Sequence, residues 1–145
     1  MKSEQIKKAA QRLMRKFETS DPFEMAHSLG IIIVIEPLGQ IRGLYNTEYK
    51  QKFIHINDRL SHKQQTFVCA HELGHAVLHT GTNTHFLRGH TLYSLNRYEK
   101  EAHLFAAFIL ISDDDLEENK YLTYEQMARL TGISEDIVRM RVNGI

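Results

Sequence analysis

Thr66-Phe67-Val68-Cys69-Ala70-His71-Glu72-Leu73-Gly74-His75-Ala76-Val77-Leu78-His79 is the stretch on which the reading of this chain turns. Apolar residues at Phe67, Ala70, Leu73, Ala76 and Val77 recur at helical spacing. His71 and His75 are four residues apart, so on a helix they stand one turn apart on the same face. Both imidazoles can then grip one ion. Glu72 is turned about 100° from His71, at ~3.6 residues per turn, which sets its carboxylate beside the ion and within reach of a water. His-Glu-x-x-His on a helix is the arrangement of zinc-dependent hydrolases and points to a metalloprotease. Both histidines border the apolar stripe, so they are expected to be sheltered, and sheltered imidazoles need partners.

A catalytic zinc site takes three protein ligands and keeps one position open. One protease class finds its third histidine six residues after the second, with a glycine three before it. Gly81 and Leu78 occupy those positions here, which excludes that class. The other solution is a carboxylate from a following helix. The run Tyr98-Glu99-Lys100-Glu101-Ala102-His103-Leu104-Phe105-Ala106-Ala107 offers two. Glu99 is favoured, because it shares a face with Ala102, His103 and Ala106. The two alanines let the helices approach closely enough for a short arm to reach the ion. His103, one turn beyond Glu99, is placed to hydrogen-bond a ligand. Glu101 points roughly 160° away, at ~100° per residue, and reads as a solvated side chain. The competing reading of Glu99 is a capping carboxylate paired with Asn96.

The remaining candidates carry milder expectations. His79 follows the motif by one turn and suits a capping or supporting role better than ligation. His55 reads as a strand residue and His27 as a helix residue. His85 and His90, with Arg88 and Tyr93, fall on the segment joining the two ligand helices. One of His85, His90 and Tyr93 can steady an oxyanion, and ordinary loop packing stays equally open for each. Cys69 reads as a small buried core residue rather than a thiolate ligand.

The chain has 145 residues, enough for one domain with a sizeable core, and is read as a single domain over 1–145. Hydrophobic residues make up 42% and charged residues 25%, as in globular proteins. A formal net charge of zero argues against nucleic acid as a partner. The N-terminus, Met1-Lys2-Ser3-Glu4-Gln5-Ile6-Lys7-Lys8, leads into an amphipathic helix rather than a signal peptide. The longest strongly apolar run, Ile31 to Ile35, is too short to cross a bilayer. The single cysteine suits a reducing interior, so a cytoplasmic location is expected, with no membrane contact.

Elsewhere the pattern predicts an α+β fold. Ile6, Ala9, Ala10, Leu13, Met14 and Phe17 follow helical spacing. Asp21-Pro22-Phe23-Glu24 opens a second helix that stops at Gly30. Ile31-Ile32-Ile33-Val34-Ile35 predicts a strand buried on both faces. Ile41 to Tyr45 and Lys52 to Ile56 predict a hairpin, completing a small three-stranded sheet. Ser61 and Gln64 form a capping box for the metal helix, which Gly81 ends. Asn96 caps the second ligand helix, running to about Ile111. Ser112 to Asp115 start another helix, and two short helices near Tyr124 to Leu130 and Ser134 to Val142 close the chain.

The spacing His71-Glu72-x2-His75-x3-His79, followed by Glu99-x2-Ala102-x2-Phe105-Ala106-Ala107, resembles the ImmA/IrrE family of metallo-endopeptidases. Gly43-x-Tyr45, the strand Phe53 to Asn57 and the segment Leu122-Thr123-x3-Gln126-Met127-Ala128 add to the likeness. The resemblance implies a zincin-like domain with one Zn2+ on His71, His75 and Glu99, and Glu72 as the catalytic residue. It implies a DNA-binding repressor of phage or mobile-element type as substrate. His103 departs from the family's usual Asn or Asp, and Ile109-Leu110-Ile111-Ser112 replaces its usual helix end. Two rivals remain. One is a zinc-containing anti-repressor that binds without cutting. The other is a helix-turn-helix DNA binder built on Glu125 to Ser134, but residues 121–145 hold three basic and three acidic side chains, no footprint for DNA.

Overall fold

The computed structural model describes residues 1–80 and 92–145, with side chains from 96 onward in the second stretch. Helix α1 (Ser3–Phe17) buries Ile6, Ala10 and Leu13 on one face. Helix α2 (Pro22–Ser28) starts where Asp21 accepts a hydrogen bond from the Phe23 backbone at 2.9 Å, with Pro22 in its first turn. Gly30, at φ 74°, turns the chain out of that helix.

Strands β1 (Ile32–Glu36), β2 (Gly43–Glu48) and β3 (Gln51–Asn57) form one sheet in the order β1-β3-β2. β1 runs parallel to β3 and β2 antiparallel to it, with Gly43 opposite Ile56 and Glu48 opposite Gln51. β1 is therefore an edge strand. Ile32 is 46% and Ile35 50% exposed, which corrects the expectation of a strand buried on both faces. The cause is architectural. Helix α2 packs on β1, and α3 (His62–Leu78) packs on β2 and β3, so the helical layer covers only part of this short sheet.

The β2–β3 turn is closed by Tyr49 and Lys50, at φ 49° and 65°. Positive φ at both central residues is the signature of a tight hairpin turn that favours an asparagine followed by a glycine, because a Cβ is strained there. Tyr49 is fully exposed, so its side chain can be removed without loss of packing. The double variant Tyr49→Asn, Lys50→Gly is expected to gain about 1 kcal/mol, a rise of roughly 3–4 °C in melting midpoint. A thermal melt followed by circular dichroism checks this, and an unchanged or lower midpoint rejects it.

Ser61 and Gln64 cap α3 reciprocally, at 3.2 and 2.9 Å. Helix α3 ends at Leu78 with His79 as its cap, ahead of Gly81, which lies outside the described residues. Helix α4 (Leu92–Leu110) begins earlier than expected. Asn96 is inside it, so Glu99 does not sit in the first turn and the capping reading of Glu99 falls. Helices α3 and α4 meet closely: a Cβ on Gly74 would lie 3.2 Å from the Ala102 Cα and 3.1 Å from the Phe105 ring. The expected close approach at Ala102 is thus present, with Gly74 as its counterpart. Helix α1 covers another side of α4, which leaves Ala102, Leu104, Phe105, Ala106 and Ala107 fully buried.

Three short helices follow: α5 (Asp113–Glu118), α6 (Tyr124–Thr131) and α7 (Glu135–Asn143). Met127, Ile133, Ile137 and Val138 join Ala107 and Ile111 in a second apolar cluster. Arg141 locks α7 in place, donating to the Ile111 carbonyl at 2.9 Å and to Asp113 at 2.8 Å. The α6–α7 pair therefore packs against the body. The fold is α+β. Among the described residues no helix is long and apolar enough to cross a membrane.

Candidate metal centre

His71 and His75 project from α3 toward α4, and Glu99 projects back. The Glu99 carboxylate spans both rings: one oxygen lies 3.0 Å from His71 Nε2 and the other 3.0 Å from His75 Nε2. His75 is 1% exposed and His71 8%. The carboxylate thus joins the two rings, and two imidazole nitrogens with one carboxylate are a donor set that divalent zinc accepts. Burial alone would raise the Glu99 carboxyl, but hydrogen bonds and charge from His71 and His75 outweigh it and hold the group far below the usual range. These donors fit a divalent ion.

Glu72 lies beside the pair, 6% exposed, and its Oε2 is buried with no hydrogen-bond partner. Burial raises its carboxyl, opposed in part by His71 and His75. Strand β2 presses on this part of α3. A Cβ on Gly43 would come 2.4 Å from Val68 Cγ1, 2.9 Å from the His55 carbonyl and 3.7 Å from Glu72 Cγ. Only glycine lets the strand lie this close to the helix that carries Glu72.

The sequence places His103 to hydrogen-bond a ligand. Its ring instead stacks on His71, with centroids 4.3 Å apart and planes 29° from parallel. Its Nδ1 is buried without a partner. Burial, then the His71 charge, lowers its pKa to about 4, so the ring is neutral at physiological pH. The donor atoms that all lie within 4.8 Å of one another are those of His71, Glu99 and His103, with His75 outside that group, so His103 adjoins the same centre.

Glu101 requires a correction. Its projection on the helix reads as solvated, yet it is 2% exposed. It does point away from Glu99, but α4 is wrapped by α1 and α3 and has little free face. Glu101 accepts from His79 Nε2 at 3.3 Å, and its other oxygen lies 3.3 Å from the α-amino nitrogen of Met1. His79 in turn brings its Nδ1 to 3.0 Å from His75 Nδ1. The supporting role of His79 is the expected one; its carboxylate partner is not visible in the sequence. Burial, then the His75 charge, lowers the His79 pKa. The one signal in the sequence is that His79 and the motif share a helical face, and that a buried imidazole needs an acceptor.

The other candidates fall away from the centre. His55 sits in β3 between Glu36 at 2.8 Å and Asn46 at 3.0 Å, and His27 lies in the last turn of α2. Cys69 is fully buried, and burial pushes its thiol up to about 12, so it remains an unionised core residue. His85, Arg88 and His90 lie outside the described residues, as does the side chain of Tyr93.

The centre opens into a cleft of about 940 Å³. One wall is Ile41 to Leu44 at the start of β2, the floor is His71, Glu72, Glu99 and His103, and the far wall is Arg129, Ile133 and Ile137 of the α6–α7 turn. Nothing in the sequence marks that last wall, where the same turn reads as a candidate DNA-binding motif.

The comparisons with known proteins give the family. The model of a peptidase family described as the IrrE N-terminal-like domain matches residues 26–143. "Uncharacterized immunity region protein 2" of Bacillus phage phi105 is 37% identical over 139 residues, covering 94% of this chain and 88% of the phage protein. "Metallopeptidase ImmA" of Bacillus subtilis (strain 168) is 35% identical over 118 residues, 80% of this chain and 69% of that protein. A family model that covers residues 26–143, together with relatives at 35–37% identity over most of the chain, makes this protein a member of the ImmA/IrrE family of metallo-endopeptidases.

Proposed function

We propose that the protein is a zinc-dependent endopeptidase, a single domain over residues 1–145, that cuts a DNA-binding repressor of phage or mobile-element type and so relieves repression. The observation that carries this reading is that Glu99 meets both His71 and His75, with His71, Glu72 and Glu99 on the floor of an open cleft and His75 buried behind them. When bound there, zinc supplies Lewis acidity, polarising the scissile carbonyl and making water more acidic. Glu72 takes the proton of the attacking water and delivers it to the leaving amine. Its unpartnered oxygen and its position on the cleft floor support that role.

The substrate lies as an extended strand along β2. Among the described strands β2 pairs with β3 alone, and its first residues, Gly43 and Leu44, line the cleft, where an extended peptide can lie beside them. Gly43 keeps that strand close to Glu72. A folded repressor would present a loop or linker in this way. The phage relative is named for an immunity region, and a phage origin is in keeping with this substrate class. A zero net charge and the docked α6–α7 pair weigh against direct DNA binding.

The test is incubation of the zinc-loaded protein with a candidate DNA-binding repressor of phage or mobile-element type, followed by mass spectrometry. Discrete fragments that vanish with chelator are expected. Intact repressor that has lost DNA binding would reject cleavage and favour the zinc-containing anti-repressor.

A further inference from the structure

His79 and Glu101 lie outside the donor set, yet both are buried and both contact it in sequence. His75 turns Nε2 to Glu99 and Nδ1 to His79 Nδ1, each at 3.0 Å. His79 turns Nε2 to Glu101 Oε1 at 3.3 Å. Two ring nitrogens this close share one hydrogen, so one ring donates and the other accepts. A carboxylate only accepts. A neutral His79 therefore carries its hydrogen on Nε2, toward Glu101, and offers a lone pair at Nδ1. His75 must then carry its hydrogen on Nδ1. A His75 that ligates a cation, in place of donating Nε2–H to the Glu99 carboxylate, needs its lone pair on Nε2, and that is the tautomer this chain of contacts selects.

We propose that Glu101 and His79 form a relay that fixes the tautomer and ring orientation of His75, aiming its Nε2 lone pair at the cation. The inference rests on the reading of His75 as a metal ligand. Neither residue touches substrate, so both are positioning residues. Metal-bound histidines ordinarily give their second N–H directly to a carboxylate, a carbonyl or water. Here an imidazole is interposed. His79 stands one turn beyond His75 on α3 and spans the distance to a carboxylate that α4 contributes. The relay also accounts for a glutamate that is 2% exposed, since a buried carboxylate is costly unless donors meet it.

Two pairs of variants in the full chain test this: His79→Leu against His79→Asn, and Glu101→Met against Glu101→Gln. Asn places an amide oxygen near the position of His79 Nδ1, and Gln keeps an acceptor where Glu101 Oε1 sits. Zinc affinity is read by chelator competition, and ring protonation by long-range 1H–15N NMR of the zinc-loaded wild type. The expected spectrum shows His75 protonated at Nδ1 and His79 at Nε2. The apolar variants are expected to bind zinc about 10–100-fold more weakly, and the polar variants to recover most of that loss. His79 protonated at Nδ1 would overturn the relay, even if every variant failed to fold. So would apolar variants with wild-type affinity, or polar variants as weak as the apolar ones. A wild type that binds no stoichiometric zinc is a different result, and defeats the ligand assignment together with the relay built on it.

Discussion

Glu72→Gln is expected to leave the metal in place and abolish cleavage. Gln matches Glu in volume and keeps an oxygen at the cleft floor, so α3 and the donors on it are undisturbed. It cannot take a proton from water at neutral pH. A positioned general base contributes about 10²–10⁴ in rate, and the loss in kcat should fall in that range or exceed it. The Glu72 Oε2 has no hydrogen-bond partner to lose, so the exchange breaks no contact at that oxygen. Metal content by elemental analysis and kcat on a repressor or peptide substrate decide the matter together. Cleavage within a few-fold of wild type would reject Glu72 as the base, whatever the metal content.

Glu99→Ala should have the opposite signature, with the metal lost and activity lost as a consequence. Glu99 is the carboxylate that meets both Nε2 atoms. Without it the remaining pair is a weak chelate, and zinc affinity should fall by more than about 10²-fold, beyond the range for an outer partner. A thermal shift reads this directly. Zinc at about 1,000 times its dissociation constant stabilises the folded chain by roughly 4 kcal/mol through mass action. The wild type should show a zinc-dependent rise in melting midpoint, and Glu99→Ala should show almost none. A persistent rise would defeat the assignment of Glu99 and turn attention to His103, whose donor atom adjoins the same centre.

The two experiments separate chemistry from binding because the residues sit on different helices. Glu72 shares α3 with the histidines, whereas Glu99 crosses from α4. Close packing of Gly74 on Ala102 holds that crossing short, so the distance from Glu99 to the rings is a property of the helix pair.

Much of this is legible in the residues. His71, Glu72 and His75 are related by one helical turn, a relation that needs only local backbone geometry. The capping pairs at Ser61, Ser112 and Thr123 are equally local, since each is an i to i+3 exchange of hydrogen bonds. Glu99 can be chosen over Glu101 because Ala102 and Ala106 mark the face on which another helix approaches.

What the residues do not disclose are facts about neighbours. Glu101 looks solvated because it lies opposite Glu99, and a helical projection cannot say that α1 and α3 occupy its surroundings. The Ile31 to Ile35 run looks doubly buried because five β-branched residues are as apolar as a central strand, yet pairing places β1 at the sheet edge. The helix start at Leu92 is hidden because Asn96 resembles a cap. The sequence by itself determined which side chains share a helical face, because a 3.6-residue period is set by bonds along the chain. The tertiary structure decided which face meets another element, which carboxylate is buried behind His79, and which turn walls the cleft, because burial depends on segments that are distant in sequence and brought together only by packing.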